Sequence, residues 1–238
     1  MLARLWGRRK PNDLSIFNYT VRKSEKLTMM PHENSPVYAA GAKLENASAA
    51  MILLHGRGAS AQDILSLASH LDFPGIAYLA PQAEGFIWYP NRLIAPVESN
   101  EPYLSAAIAK IDRLVKQVEA SGIPAEKIFI GGFSQGASLS SEFVIRNPRP
   151  YGGLLVFSGG YIWQSGKPRE TSGDLGGMPV FIGCSNVDPF IPLERVKETS
   201  ALLASMNANV TEQIYPNMDH TIIDEEIDLA RQLLEKRL

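Results

Sequence analysis

Three side chains in this sequence have the types and the places for nucleophilic chemistry on a carbonyl: Ser134, Asp188 and His220. Ser134 stands in Gly132-Phe133-Ser134-Gln135-Gly136, after the apolar run Ile128-Phe129-Ile130 and before a helix-compatible segment. That strand–turn–helix setting is the one in which Gly-x-Ser-x-Gly forms a nucleophile elbow. A serine at the tip of so sharp a turn takes a strained backbone conformation. Its neighbours two residues either side then approach closely, so Gly132 and Gly136 are required. The following helix aims its N-terminal N–H groups and dipole at the same spot.

A serine hydroxyl is a weak nucleophile until a base takes its proton. The chain offers four histidines: His32, His55, His70 and His220. His32 falls in an irregular N-terminal stretch, and His70 near the end of a helix, away from strand ends. His55 opens a His-Gly loop, where the ring more often braces the loop; it is the remaining alternative. His220 follows the last strand in a short loop, and groups that act in α/β sheets gather at the carboxyl ends of strands. An acid must orient that base. Asp219 is adjacent to His220 and would diverge from it, and Asp224 suits a helix start. Asp188, just after a strand and before Pro189, is preferred; a plain turn aspartate is the alternative. Charge developing on the carbonyl oxygen needs waiting donors. The main-chain N–H groups of Gln135 and of Arg57, in His55-Gly56-Arg57-Gly58, are the candidates.

The elements that must position these residues alternate along the chain. Apolar runs at 37–40, 49–54, 76–80, 128–133, 153–158, 179–184 and 210–215 read as strands. Met51-Ile52-Leu53-Leu54 is continuously apolar, as a strand covered on both faces should be. Ser60 with Asp63 resembles a capping box, and Ile64, Leu67, Ala68 and Leu71 continue it as one helix. Leu104 to Val118 is amphipathic at helical spacing; Val196 to Met206 and Ile223 to Leu234 mark two further helices. Alternation of strands and helices predicts a mostly parallel sheet with helices on both faces. The stretch 82–102, with Phe86, Trp88, Tyr89 and Pro90, is long and irregular, as functional loops often are. The stretch 161–178 is polar and glycine-rich, hence also a loop. No segment between strands is long enough for a large helical lid, so an open site favouring soluble esters is expected.

Composition bounds the rest. The 238 residues carry 45% apolar and 20% charged side chains, ordinary for one large domain. A net charge of −2 gives no nucleic-acid footprint, and no apolar run reaches membrane-spanning length. The single cysteine, Cys184, lies in an apolar run and reads as a small core residue. Residues 1–35 are set apart as a basic, loosely held extension carrying one short element near 16–21, with Met29 and Met30 as alternative starts. Residues 36–238 form the single catalytic domain, and a cytoplasmic location is expected.

The order Ser134, Asp188, His220 is that of α/β-hydrolases. Together with Leu54-His55-Gly56-Arg57-Gly58-Ala59, Asp188-Pro189 and Asp219-His220, it makes residues 36–238 resemble the phospholipase/carboxylesterase family, which includes acyl-protein thioesterases. The resemblance implies an α/β-hydrolase fold and a cofactor-free, metal-free serine esterase. Its substrates would be small to medium acyl esters, and it would often be a homodimer. The His-Gly-Arg-Gly loop and Trp88-Tyr89-Pro90 are similar to a bacterial small-esterase branch. Asn186 and Phe190 stand where relatives often carry Asp and His, a departure that bears on substrate preference rather than on chemistry. Trp88, Tyr89, Phe190 and Met218, all in strand-end loops, are the candidates to line the substrate pocket. Acyl-thioesterase and lysophospholipase activities would use the same machinery, and an inactive binding scaffold is a further alternative. Dienelactone hydrolases share the fold but use cysteine where this chain has Ser134.

Overall fold

The computed structural model describes residues 15–17 and 30–238. Strands β1 (Ser15–Phe17), β2 (Val37–Gly41), β3 (Ala49–Leu54), β4 (Ile76–Pro81), β5 (Ile128–Phe133), β6 (Gly153–Phe157), β7 (Pro179–Ser185) and β8 (Asn209–Tyr215) form one sheet. Its order is β1-β2-β4-β3-β5-β6-β7-β8. The pairings of β2 with β1 and with β4 are antiparallel, and all others are parallel. The mostly parallel sheet expected from the alternating pattern is therefore present. The short element expected near 16–21 coincides with β1 at its start, and 18–21 lies outside the described residues.

The helices are α1 (Ala61–Leu65), α2 (Leu67–Leu71), α3 (Tyr103–Ala120), α4 (Gln135–Arg146), α5 (Leu193–Ser205) and α6 (Asp224–Glu235). Every residue of β3 is buried, and its side chains alternate between two cores. Ala50, Ile52 and Leu54 face a core that α3, α4 and α5 complete with Leu104, Ile111, Phe143 and Val196. Ala49, Met51 and Leu53 face a second core completed by Ile64, Leu67, Ile227 and Leu234 of α1, α2 and α6. Burying one such side chain contributes about 2 kcal/mol, so sheet and helices are fixed from both sides.

The single helix expected over 61–71 is two. Ser60 does cap it reciprocally with Asp63. At Ser66, however, the hydroxyl and the main-chain N–H both bond to the Asp63 carbonyl, and Ser69 N–H bonds to Ser66 O three residues back. A serine that competes for the ladder in this way tightens and breaks a helix. The stretch 161–178 has no helix or strand, as expected, but it is firmly tied. Arg169 forms a fork on the fully buried carboxylate of Glu142 in α4, with Nη1 to Oε2 at 2.6 Å and Nη2 to Oε1 at 3.0 Å. Arg195 of α5 donates to the carbonyl oxygens of Tyr161 and Trp163 at 3.0 and 2.8 Å.

Candidate active site

The turn after β5 shows the strain its sequence implies. Ser134 has φ 56° and ψ −116°, outside the comfortable regions for a residue with a side chain. The elbow is held by its own main chain: Ser134 N–H donates to Phe157 O at 2.9 Å, and its carbonyl accepts from Ser138 N–H at 3.0 Å. The two glycines have the predicted reason. A Cβ on Gly132 would lie 2.5 Å from Leu54 O, and one on Gly136 would collide with the main chain of Leu54 and His55. Ser134 alone of the run 128–145 reaches the surface in part.

His220 and Asp188 meet it there. His220 Nε2 is 2.9 Å from Ser134 Oγ, and His220 Nδ1 is 2.6 Å from Asp188 Oδ2. A carboxylate accepts, so Nδ1 carries the proton and Nε2 is left to accept from the serine O–H. Oδ1 of Asp188 accepts two main-chain N–H groups, from Phe190 at 2.8 Å and Ile191 at 3.0 Å. Burial pushes this carboxyl up, but the His220 bond and the two N–H donors outweigh burial and hold it below the usual carboxylate value. The His220 ring lies between Phe133 and Phe190, with centroids at 4.8 and 4.9 Å. Cys184 is buried, its thiol pushed up to about 12 by burial and then by Asp188, 3.8 Å from Sγ. It is the inert core residue its surroundings in sequence suggest.

The loop after β3 closes the other side. A Cβ on Gly56 would sit 3.4 Å from Ser134 Cβ, so the loop passes directly over the serine. The His55 ring makes its hydrogen bonds to groups other than Ser134. Its Nδ1 donates to Gly56 O at 2.8 Å, and its Nε2 accepts from Ala83 N–H at 3.1 Å. Burial pulls its ring below the ordinary histidine value. It braces its own loop, and it is His220 that stands beside Ser134. Arg57 N–H has no acceptor within the protein among the described residues, and Gln135 N–H, first in α4, has no carbonyl one turn back to bond.

The four expected pocket residues divide. Trp88 and Tyr89 are 0% and 2% exposed and do not line an open cleft. Sequence placed them in a strand-end loop; what it did not show is that this loop folds inward. Trp88 Nε1–H donates to His55 O at 2.9 Å, and its main-chain N–H to Gln135 Oε1 at 2.9 Å. Tyr89 O accepts from Gln135 Nε2 and Arg57 Nη2, both at 2.7 Å. Phe190 is 59% exposed with its ring edge-on to His220, and Met218 is half-buried two residues before His220. Two residues were missed as contributors. Asn186, noticed only as a departure, reaches across to the loop that carries His220. His32, assigned to a loose extension, is fully buried against Trp88. Its only sequence signal was its type.

The chain is similar to known proteins in sequence and in fold. The sequence pattern of the phospholipase/carboxylesterase family matches residues 38–238. A crystal structure of a phospholipase/carboxylesterase from Dyadobacter fermentans is 42% identical with a TM-score of 0.81, over 84% of this chain and 96% of that one. Acyl-protein thioesterase 1 of Gibberella zeae is 32% identical over 130 residues, which are 52% of this chain and 54% of that protein, so that match spans about half its length. Acyl-protein thioesterase 1 of Eremothecium gossypii is 26% identical over 223 residues, 83% of this chain and 91% of that protein. With the match running from β2 to the last residue and a 42% identical structure sharing the fold, the chain belongs to the phospholipase/carboxylesterase family of α/β-hydrolases.

Proposed function

We propose that the chain is a serine carboxylesterase that hydrolyses small to medium acyl esters through an acyl-enzyme. The observation that carries this reading is the unbroken line from Asp188 Oδ2 to His220 Nδ1 and from His220 Nε2 to Ser134 Oγ, at 2.6 and 2.9 Å. Ser134 Oγ attacks the ester carbonyl carbon as its proton passes to His220 Nε2. The negative charge moves to the carbonyl oxygen, where the N–H groups of Arg57 and Gln135 receive it; one such donor is worth about 3 kcal/mol. Asp188 stabilises the imidazolium meanwhile. His220 then gives its proton to the departing alkoxide, and the ester C–O bond breaks. Water attacks the acyl-enzyme with His220 taking its proton, and collapse returns a proton to Ser134 Oγ and frees the acid. Phe190 and Met218 at the rim offer the apolar contact for substrate.

Labelling with a fluorophosphonate, comparing the native protein with Ser134→Ala, tests the reading. Native protein should label at one serine and the variant should not; equal labelling of both would end it. Rates on a p-nitrophenyl ester series would then give the preferred acyl length. A thioesterase reading is the second one, favoured by the acyl-protein thioesterases among its relatives. Paired oxygen esters and thioesters of the same acid separate the two.

A further inference from the structure

Just before β2 the chain is tied into the body of the protein at His32. His32 is fully buried and holds φ 65°, a left-handed conformation that persists only where the surroundings over-determine it. Hydrogen bonds from several segments do so. His32 N–H donates to Glu84 Oε2 at 3.1 Å, and Glu84 N–H donates back to His32 Nδ1 at 3.0 Å. With Nδ1 accepting, Nε2 carries the ring proton and donates to Trp88 O at 3.0 Å. Lys110 Nζ of α3 donates to the carbonyl oxygen of His32 at 2.8 Å and to that of Ser35 at 2.7 Å. The imidazole also packs on Trp88 and Tyr103, with centroids at 5.5 and 5.8 Å.

What His32 grips is the hub of the anion-binding side. The Trp88 ring also packs on the His55 ring at 5.0 Å, its Nε1–H bonds to His55 O, and its main-chain N–H bonds to the Gln135 side chain. Trp88 thus bonds to His55, two residues before Arg57, and to Gln135 itself, so it touches both segments that carry the proposed oxyanion donors. We propose that His32 is a positioning residue for the oxyanion side of the site: through Trp88 it fixes the loop at 55–57 and the start of α4 so that both N–H groups stand where the oxyanion forms. This rests on the Ser134 reading above.

The experiment measures kcat per active site, titrated with fluorophosphonate, and KM on p-nitrophenyl acetate for His32→Asn and Glu84→Ala. Asparagine tolerates the left-handed backbone and can still accept the Glu84 N–H, but cannot reach Trp88 O. Displaced donors should lower kcat per titrated site about tenfold in His32→Asn, with KM within about twofold. Glu84→Ala, which removes one bond from an exposed side chain, should lower it about twofold. Because both act through one loop, adding His32→Asn to Gln135→Ala should cost less than His32→Asn alone. A merely structural role would lower the titrated fraction and the melting temperature while leaving kcat per site unchanged, and that result overturns the inference. Should His32→Asn not fold, an unchanged kcat per site in Glu84→Ala overturns it equally. If the native protein neither labels at Ser134 nor turns over, it is the reading of the site that falls, a result visible before any variant is made.

Discussion

The side-chain oxygen of Asn186 accepts the main-chain N–H of Asn217 at 2.8 Å. Asn186 N–H also bonds to Tyr215 O at 3.0 Å, so the loop carrying Asp188 is clipped to the loop carrying His220. Asn217 sits at φ 55°, a turn conformation that this acceptor stabilises. Asn186→Ala should cost about 1 kcal/mol of alignment, read as a roughly fivefold fall in kcat with KM unchanged. Asn186→Asp keeps the acceptor and should restore most of the rate.

Asp188→Asn should be far more damaging without unfolding the protein. The Phe190 and Ile191 N–H groups demand an oxygen at the Oδ1 position, so the new amide nitrogen must face His220. His220 Nδ1 then becomes the acceptor and its proton moves to Nε2, where it blocks removal of the serine proton. A loss of about 10³–10⁴ in kcat is expected, with near-native circular dichroism and KM.

Gly136→Ala tests the elbow. The added methyl would meet the carbonyl groups of Leu54 and His55, which the sheet holds in place. The expected outcome is a loss of about 3 kcal/mol or more in a denaturant titration, together with loss of fluorophosphonate labelling.

Glu226 gives the pH dependence. It is fully buried at the start of α6, with Oε2 accepting Ile223 N–H at 3.0 Å. Burial pushes its carboxyl up to about 8; the Ile223 N–H opposes this and Glu225 adds to it. An unfolded chain releases that proton near 4.5. The folded state therefore binds it more tightly, so the stability it contributes is complete below 4.5 and is lost as pH rises to about 8. Glu226→Gln has the shape of the protonated acid and cannot ionise. Unfolding free energies measured across that window should be flatter for the variant and exceed the native values at the alkaline end by a few kcal/mol at most.

The strands were legible because a sheet covered on both faces needs unbroken apolar runs, as in Ala49–Leu54. The meeting of Ser134, Asp188 and His220 could be anticipated because strand ends, glycines and chain order constrain them together. Helix bounds failed only at Ser66, where one hydroxyl outweighs an apolar pattern. Trp88 and His32 were misplaced for a different reason. Their surroundings come from segments far apart in the chain, 56 residues in the case of their shared bond. No local pattern announces that a histidine before the first long strand will stack behind a loop tryptophan.

The fork between Arg169 and Glu142 carries a kinetic consequence. Glu142 belongs to the same helix that begins beside Ser134, so the stretch 161–178 is wired to the helix that supports Ser134 and again to α5 through Arg195. A segment anchored in this way does not swing open and shut. Turnover of the proposed ester substrates should therefore run without a gating step in this stretch.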